Sequence, residues 1–134
     1  DTLMNNLFRS APDAWMKAAE WPQREAEFVK RAGFVLGATL AVHDKQADDA
    51  RFLPLLALAE GEATDERNFV TKAVNWQIRQ IGKRSPALNA AAIESCERIL
   101  SAHPSDRSAR WIARGALREL QSGAIRLRLG LTRD

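Results

Sequence analysis

Three segments of the chain repeat one another: Phe28-Val29-Lys30-Arg31-Ala32, Phe69-Val70-Thr71-Lys72-Ala73 and Trp111-Ile112-Ala113-Arg114-Gly115. Each runs aromatic, branched aliphatic, any residue, cation, small residue, and they begin 41 and 42 residues apart. A period of roughly 40 to 47 residues is that of helical pairs stacked so that each covers its neighbour's apolar face. The expected architecture is therefore all-α, a HEAT-like α-solenoid built as a right-handed stack of antiparallel helix pairs. Equivalent positions of such a stack share one surface. Arg31, Lys72 and Arg114, the fourth residue of each segment, are then expected to form a line of cations facing an anionic partner.

Size agrees with a single domain over residues 1–134, because 46% apolar residues in 134 supply a core of ordinary extent. Tyrosine is absent and Ala, Leu, Arg and Glu are abundant, so helices and no sheet are expected. No uncharged apolar stretch of about 18 residues occurs, and the chain opens on Asp1 rather than on a basic segment followed by an apolar one. Neither membrane insertion nor secretion is expected, and the cytoplasm, at the nucleoid, is the expected compartment. The lone Cys96 sits in an apolar helical pattern and reads as a buried, reduced thiol rather than a nucleophile. His43 and His103 have no partner at metal-ligand spacing, so no metal and no cofactor are expected. Asp48-Asp49 and Glu60-Gly61-Glu62 read as caps and turns rather than a carboxylate pair.

Charge divides along the chain. Residues 1–66 carry seven Lys or Arg against twelve Asp or Glu, and residues 67–134 carry thirteen against five, a net −5 followed by +8. Position decides whether that excess is functional. Lys72, Trp76, Arg79 and Lys83 fall at i, i+4, i+7 and i+11, one narrow stripe of a helix whose opposite side carries Val70, Val74, Ile78 and Ile81. A tryptophan held among cations suits DNA or RNA, where cations meet phosphates and the ring presses on a sugar or an unstacked base. Arg107, Arg110, Arg114 and Arg118 repeat the basic stripe opposite Ile112, Ala116, Leu117 and Leu120. A solvated basic face with a tryptophan at the core edge is the competing reading.

The expected helices cover residues 2–9, 12–20, 24–43, 48–60, 66–83, 86–102 and 106–121. Phe28, Ala32, Val35, Leu36, Thr39 and Leu40 are expected inward on the third, with Gly33 and Gly37 permitting close helix contact. Pro54 is expected to kink the fourth. Thr64 or Asp65 should cap the fifth and Ser105 or Asp106 the seventh. Gly123 should end the seventh, leaving a tail that forms another turn or frays.

The run from Glu27 through Leu36, the run Asp65-Glu66-Arg67-Asn68-Phe69-Val70-Thr71-Lys72-Ala73-Val74-Asn75-Trp76-Gln77-Ile78-Arg79-Gln80-Ile81-Gly82-Lys83-Arg84, and Ala109-Arg110-Trp111-Ile112-Ala113 resemble DNA alkylation repair proteins of the AlkD type. The likeness extends from Asp1 to about Gln121. It implies a HEAT-like solenoid that cradles duplex DNA in a basic concave surface and excises purines alkylated at ring nitrogens. Asp1 would fall where that family has its catalytic aspartate, Arg31 at a cation near the lesion's backbone, and Trp76 at an aromatic beside the damaged nucleotide. The family's N-terminal half has no counterpart here, so the chain is expected to be the C-terminal portion of a longer protein.

The chemistry follows from the substrate. A purine alkylated at N3 or N7 is a cationic, activated leaving group, and the difficulty moves to the sugar. A fixed carboxylate stabilises the oxocarbenium character that develops at C1′ or orients the attacking water. Asp1 also reads as a solvated terminus. Three functions remain open on the sequence: a cofactor-independent glycosylase, a noncatalytic HEAT-like module binding nucleic acid, and a scaffold whose basic surface receives an acidic protein. Lesion preference and oligomeric state are not legible.

Overall fold

The computed structural model describes residues 11–131. Seven α-helices and two 3₁₀ turns make up the described residues, with no strand among them: α1 Ala11–Glu20, α2 Glu27–His43, α3 Leu53–Gly61, α4 Asn68–Gly82, α5 Pro86–Ala102, α6 Arg107–Leu120 and α7 Gly123–Arg128. The helix expected over residues 2–9 lies outside them.

The helices form two layers in chain order. α2, α4 and α6 lie side by side, α4 in the middle, while α1, α3 and α5 run behind them. One buried apolar cluster threads both layers, from Ala14 and Trp15 through Phe34, Phe52, Val74 and Ile78 to Ile112 and Leu120. On α4 the expected apolar side is the buried one, with Val70, Val74, Ile78 and Ile81 fully enclosed. α5 begins where its signals place it, Ser85 Oγ accepting from the Leu88 amide at 3.1 Å ahead of Pro86. Cys96 is enclosed among apolar groups, and burial pushes its thiol up to about 12, so it carries no nucleophilic character at neutral pH.

Four expectations change. The inward face of α2 is rotated: Phe28 is 69% exposed, whereas Lys30, Gly33, Phe34, Gly37, Ala38, Leu40 and Ala41 are buried, and Ala32, Val35, Leu36 and Thr39 lie between. The glycines cause this. A Cβ on Gly33 would sit 2.7 Å from the Pro22 nitrogen and 2.8 Å from Trp21 Cβ, and one on Gly37 would run into the Gln77 side chain, so the helix approaches its neighbours along its smallest side. Pro54 opens α3 instead of kinking a longer helix, at a position whose missing N–H leaves no hydrogen bond broken. The segment before it is a 3₁₀ turn, Asp49–Phe52, capped by Asp48. At the start of α4, neither Thr64 nor Asp65 is the cap residue. Arg67 is, and Asp65 instead accepts from the Arg67 amide at 3.1 Å. Asp106 does cap α6, its Oδ1 accepting from the Ala109 amide at 2.8 Å. Gly123 starts α7 rather than ending α6, with Ser122 as its cap.

Candidate nucleic-acid interface

Gly115, the small fifth residue of the third repeat, leaves room where α4 and α6 meet. Asn75 Nδ2 donates to the Ile112 carbonyl at 3.0 Å across the α4–α6 seam, in the space that Gly115 leaves open. Farther along, Asn89 Nδ2 donates to both the Gly82 and Leu120 carbonyls at 3.1 Å, and Gln77 Nε2 to the Leu55 carbonyl at 2.9 Å. These buried amide donors hold the helices in register, and Gln77 Oε1 is the one buried side-chain polar atom among the described residues that has no hydrogen-bond partner.

That register brings the first residues of the second and third repeats, Phe69 and Trp111, together with the fourth residues of the first and second, Arg31 and Lys72. Arg31 and Val35 of α2, Phe69, Lys72, Trp76 and Arg79 of α4, and Trp111 of α6 line one groove of about 520 Å³ running across the α2–α4–α6 layer. The aromatic at each repeat start faces solvent, Phe69 at 50% and Trp111 at 52% exposure, and the Arg31 guanidinium lies 5.2 Å from the Phe69 ring centroid. A guanidinium over an aromatic face is held by the ring quadrupole and keeps its donors outward. Trp76, at 36% exposure, is no core residue. With its amide oxygen turned towards them, Gln80 accepts from Trp76 Nε1 at 3.0 Å and from Lys83 Nζ at 3.3 Å, which fixes the indole's orientation.

The cations divide into two groups. Arg67, Arg84 and Arg98 are structural: Arg67 binds Asp65 and the Glu25 carbonyl, Arg84 reaches Asp49 and the Ala41 and Ala47 carbonyls, and Arg98 clasps Glu60 between the outer helices. Among the described residues, Arg31, Lys72, Arg107, Arg110, Arg114 and Arg118 make no ion pair at all. Unpaired cations on one layer leave its field available to an external anion.

Arg79 and Lys83 stand between these groups. Both bind Glu119, at 3.1 Å each, and Arg79 also donates to Asn75 Oδ1 at 2.8 Å. Burial works against the Glu119 charge, but the hydrogen bonds from Lys83 and Arg79 outweigh it and lower its pKa. Lys83 lies past the end of the groove, in a separate cavity with Lys45, Arg84 and Arg128. Arg110, Arg114 and Arg118 are exposed on α6 but do not line the groove. Asp1 lies outside the described residues.

Three residues matter that the sequence reading passed over. Glu119 partly neutralises the basic stripe from the next helix, a contact that no local spacing reveals. Trp111 was legible, since Arg107, Trp111, Arg114 and Arg118 follow the same i, i+4, i+7, i+11 offsets as Lys72, Trp76, Arg79 and Lys83. Lys30, beside the repeat cation, is buried and binds Glu62 at 2.5 Å and Asp65 at 3.0 Å. Burial opposes its charge, yet these hydrogen bonds raise its pKa, while the Arg67 guanidinium beside Asp65 holds that carboxyl well below the usual carboxylate range. This network joins the N-terminal ends of α2 and α4, the same two helices that carry Arg31 and Phe69.

An all-helical layer presenting unpaired cations and exposed aromatics along one groove defines a protein equipped to receive a polyanion. Residues 1–120 match the family model described as DNA alkylation repair enzyme, and the chain belongs to that family. Its membership implies DNA as the partner. No curated protein and no solved structure matches the chain. Among the described residues no helix is long and apolar enough to cross a membrane, and no group of His, Cys, Asp and Glu is placed to hold a metal ion.

Proposed function

We propose that the two layers are those of a HEAT-like α-solenoid whose inner wall, α2, α4 and α6, grips double-stranded DNA, and that the protein is a glycosylase releasing cationic N3- or N7-alkylated purines. The observation that carries this reading is the groove itself. Arg31, Lys72, Phe69, Trp76 and Trp111 come from three successive inner helices and meet on one surface.

In this reading Arg31, Lys72 and Arg114, with Arg110 and Arg118 beside them, neutralise phosphates and fix the duplex in register. Trp76 packs against deoxyribose or base without discriminating among bases. Arg79 and Lys83 exchange Glu119 for phosphate as the duplex arrives. The alkyl group supplies the activation, since a positively charged purine leaves without a general acid. A carboxylate near C1′ stabilises the cation forming on the sugar, and the family resemblance assigns that position to Asp1. No cofactor is required.

The test is release of free 7-methylguanine from a methylated duplex by the chain as its gene encodes it. Release that Asp1→Asn abolishes without weakening duplex binding supports the reading. Release of neutral uracil as readily as of 7-methylguanine would contradict the mechanism. Duplex binding with no base released would make the protein a noncatalytic binding module.

A further inference from the structure

The cavity past the end of the groove, of about 540 Å³, lies where the C-terminal ends of α2 and α4 meet Arg128 of α7. Its lining carries Lys45, Lys83, Arg84 and Arg128 against one carboxylate, Asp49. That carboxylate is already committed, accepting from Arg84 Nε at 3.1 Å and from Ser85 Oγ at 2.6 Å. The cations differ in what holds them. Lys83 binds Glu119 at 3.1 Å, whereas Lys45 and Arg128 are exposed and make no ion pair or side-chain hydrogen bond among the described residues.

Arg84 is the fixed wall of this cavity. Its side chain is 10% exposed and its guanidinium lies 4.5 Å from the Phe52 ring centroid. Each of its nitrogens donates once: Nε to Asp49, Nη1 to the Ala41 carbonyl at 3.1 Å and Nη2 to the Ala47 carbonyl at 2.7 Å. Nη1 and Nη2 each carry a second N–H, and neither is bonded among the described residues. A nearly buried donor without an acceptor is costly, and an anion entering the cavity removes that cost. The lining also restricts which anion enters. No aromatic is part of it, so a base has nothing to stack on, and guanidinium with ammonium donors in excess over Asp49 suits a multiply charged, oxygen-rich group better than a carboxylate.

We propose that this cavity binds a phosphate group, held by Lys45, Arg128 and the spare N–H groups of Arg84. Lys72 and Lys83, at i and i+11 of one stripe, stand about 16 Å apart along the helix, so a phosphate here is distinct from one in the groove. Two sources carry that chemistry, the backbone of a bound duplex and free phosphate. In the first case the proposal rests on the DNA-binding reading above, and in the second it does not. The test compares the wild type with Lys45→Ala/Arg128→Ala, which removes two exposed, unpaired side chains and leaves Arg84 in place. Inorganic phosphate, set against chloride at equal ionic strength, is expected to raise the melting temperature of the wild type more than that of the variant, since stabilisation by anion exclusion is common to both proteins. With an unmodified duplex across a salt series, one lost phosphate contact makes the variant's slope of log affinity against log salt shallower by about 0.9. A shallower slope assigns the phosphate to DNA, and an equal slope with a larger wild-type rise in melting temperature assigns it to a free anion. Equal slopes together with equal rises overturn the site and leave the groove reading standing. Failure of both proteins to bind the duplex takes down the groove reading, and the melting temperatures alone then decide the cavity.

Discussion

Lys30 shows how adjacent side chains of one repeat divide their work. Arg31 faces the groove, while its neighbour is buried against Glu62 and Asp65 and locks α2 to the approach of α4. Removing one member of a buried, hydrogen-bonded charge cluster leaves the others unpaired, so Lys30→Met should cost about 3 kcal/mol in urea unfolding. Asp65→Asn should cost about 1 to 3 kcal/mol at neutral pH. Its pH dependence has a definite sign: the folded carboxyl titrates below its ordinary 3.8, so its contribution is complete above that value and is lost as pH falls towards the lower native one. The stability gap between wild type and Asp65→Asn should therefore narrow below pH 3.8 and stay constant from there to neutrality. Trp76→Ala, at a position about one-third exposed, should lower the urea midpoint through lost packing and weaken duplex affinity about tenfold, whereas Trp76→Leu should keep most of the stability and still lose affinity. Trp76 was legible because the apolar stripe of its helix was already complete without it. Lys30 was not, since burial of a lysine depends on two carboxylates 32 and 35 residues away.

Elements matched their sequence signals where those signals were local. α5 runs Pro86–Ala102 because Ser85, Pro86 and an uninterrupted apolar period all agree on it. α2 misled because its buried side is built from Gly33, Gly37 and Ala38, which carry little hydrophobic signal, while the large Phe28 serves the surface. The closeness of that packing gives a paired prediction. Gly33→Ala forces a Cβ against the Trp21–Pro22 backbone and should cost roughly 1 to 3 kcal/mol. Gly61→Ala, at the end of α3 where a Cβ meets nothing within 4 Å, should stabilise by about 0.5 kcal/mol in the same thermal or urea assay. Between α4 and α6, Glu119 binds Arg79 and Lys83, and in the proposed function it competes with DNA for them. Glu119→Gln should raise duplex affinity several-fold and steepen its salt dependence, with less than about 1 kcal/mol of stability lost, as for a partly exposed pair. A fall in affinity would mean that these cations serve the α4–α6 seam alone.

At the scale of the whole molecule, the period read from three five-residue segments brings Arg31, Phe69, Lys72 and Trp111 to one groove, while Phe28 and Arg114 of the same segments are not among its lining. It could not say which cations the fold would consume. The +8 half spends Arg67, Arg84 and Arg98 on contacts with Asp65, the Ala47 carbonyl and Glu60, and among the described residues Lys72, Arg107, Arg110, Arg114 and Arg118 of α4 and α6 stay without an ion pair. The account stands on those cations meeting phosphates together. Equilibrium binding of an unmodified duplex across a salt series, for the wild type and for Arg31→Ala/Lys72→Ala/Arg114→Ala, measures this directly. Each phosphate contact contributes about 0.9 to the slope of log affinity against log salt, so the triple variant should show a slope shallower by about 2 to 3 and weaker binding at every salt concentration. An unchanged slope, or wild-type affinity insensitive to salt, would contradict the groove as the surface that holds DNA.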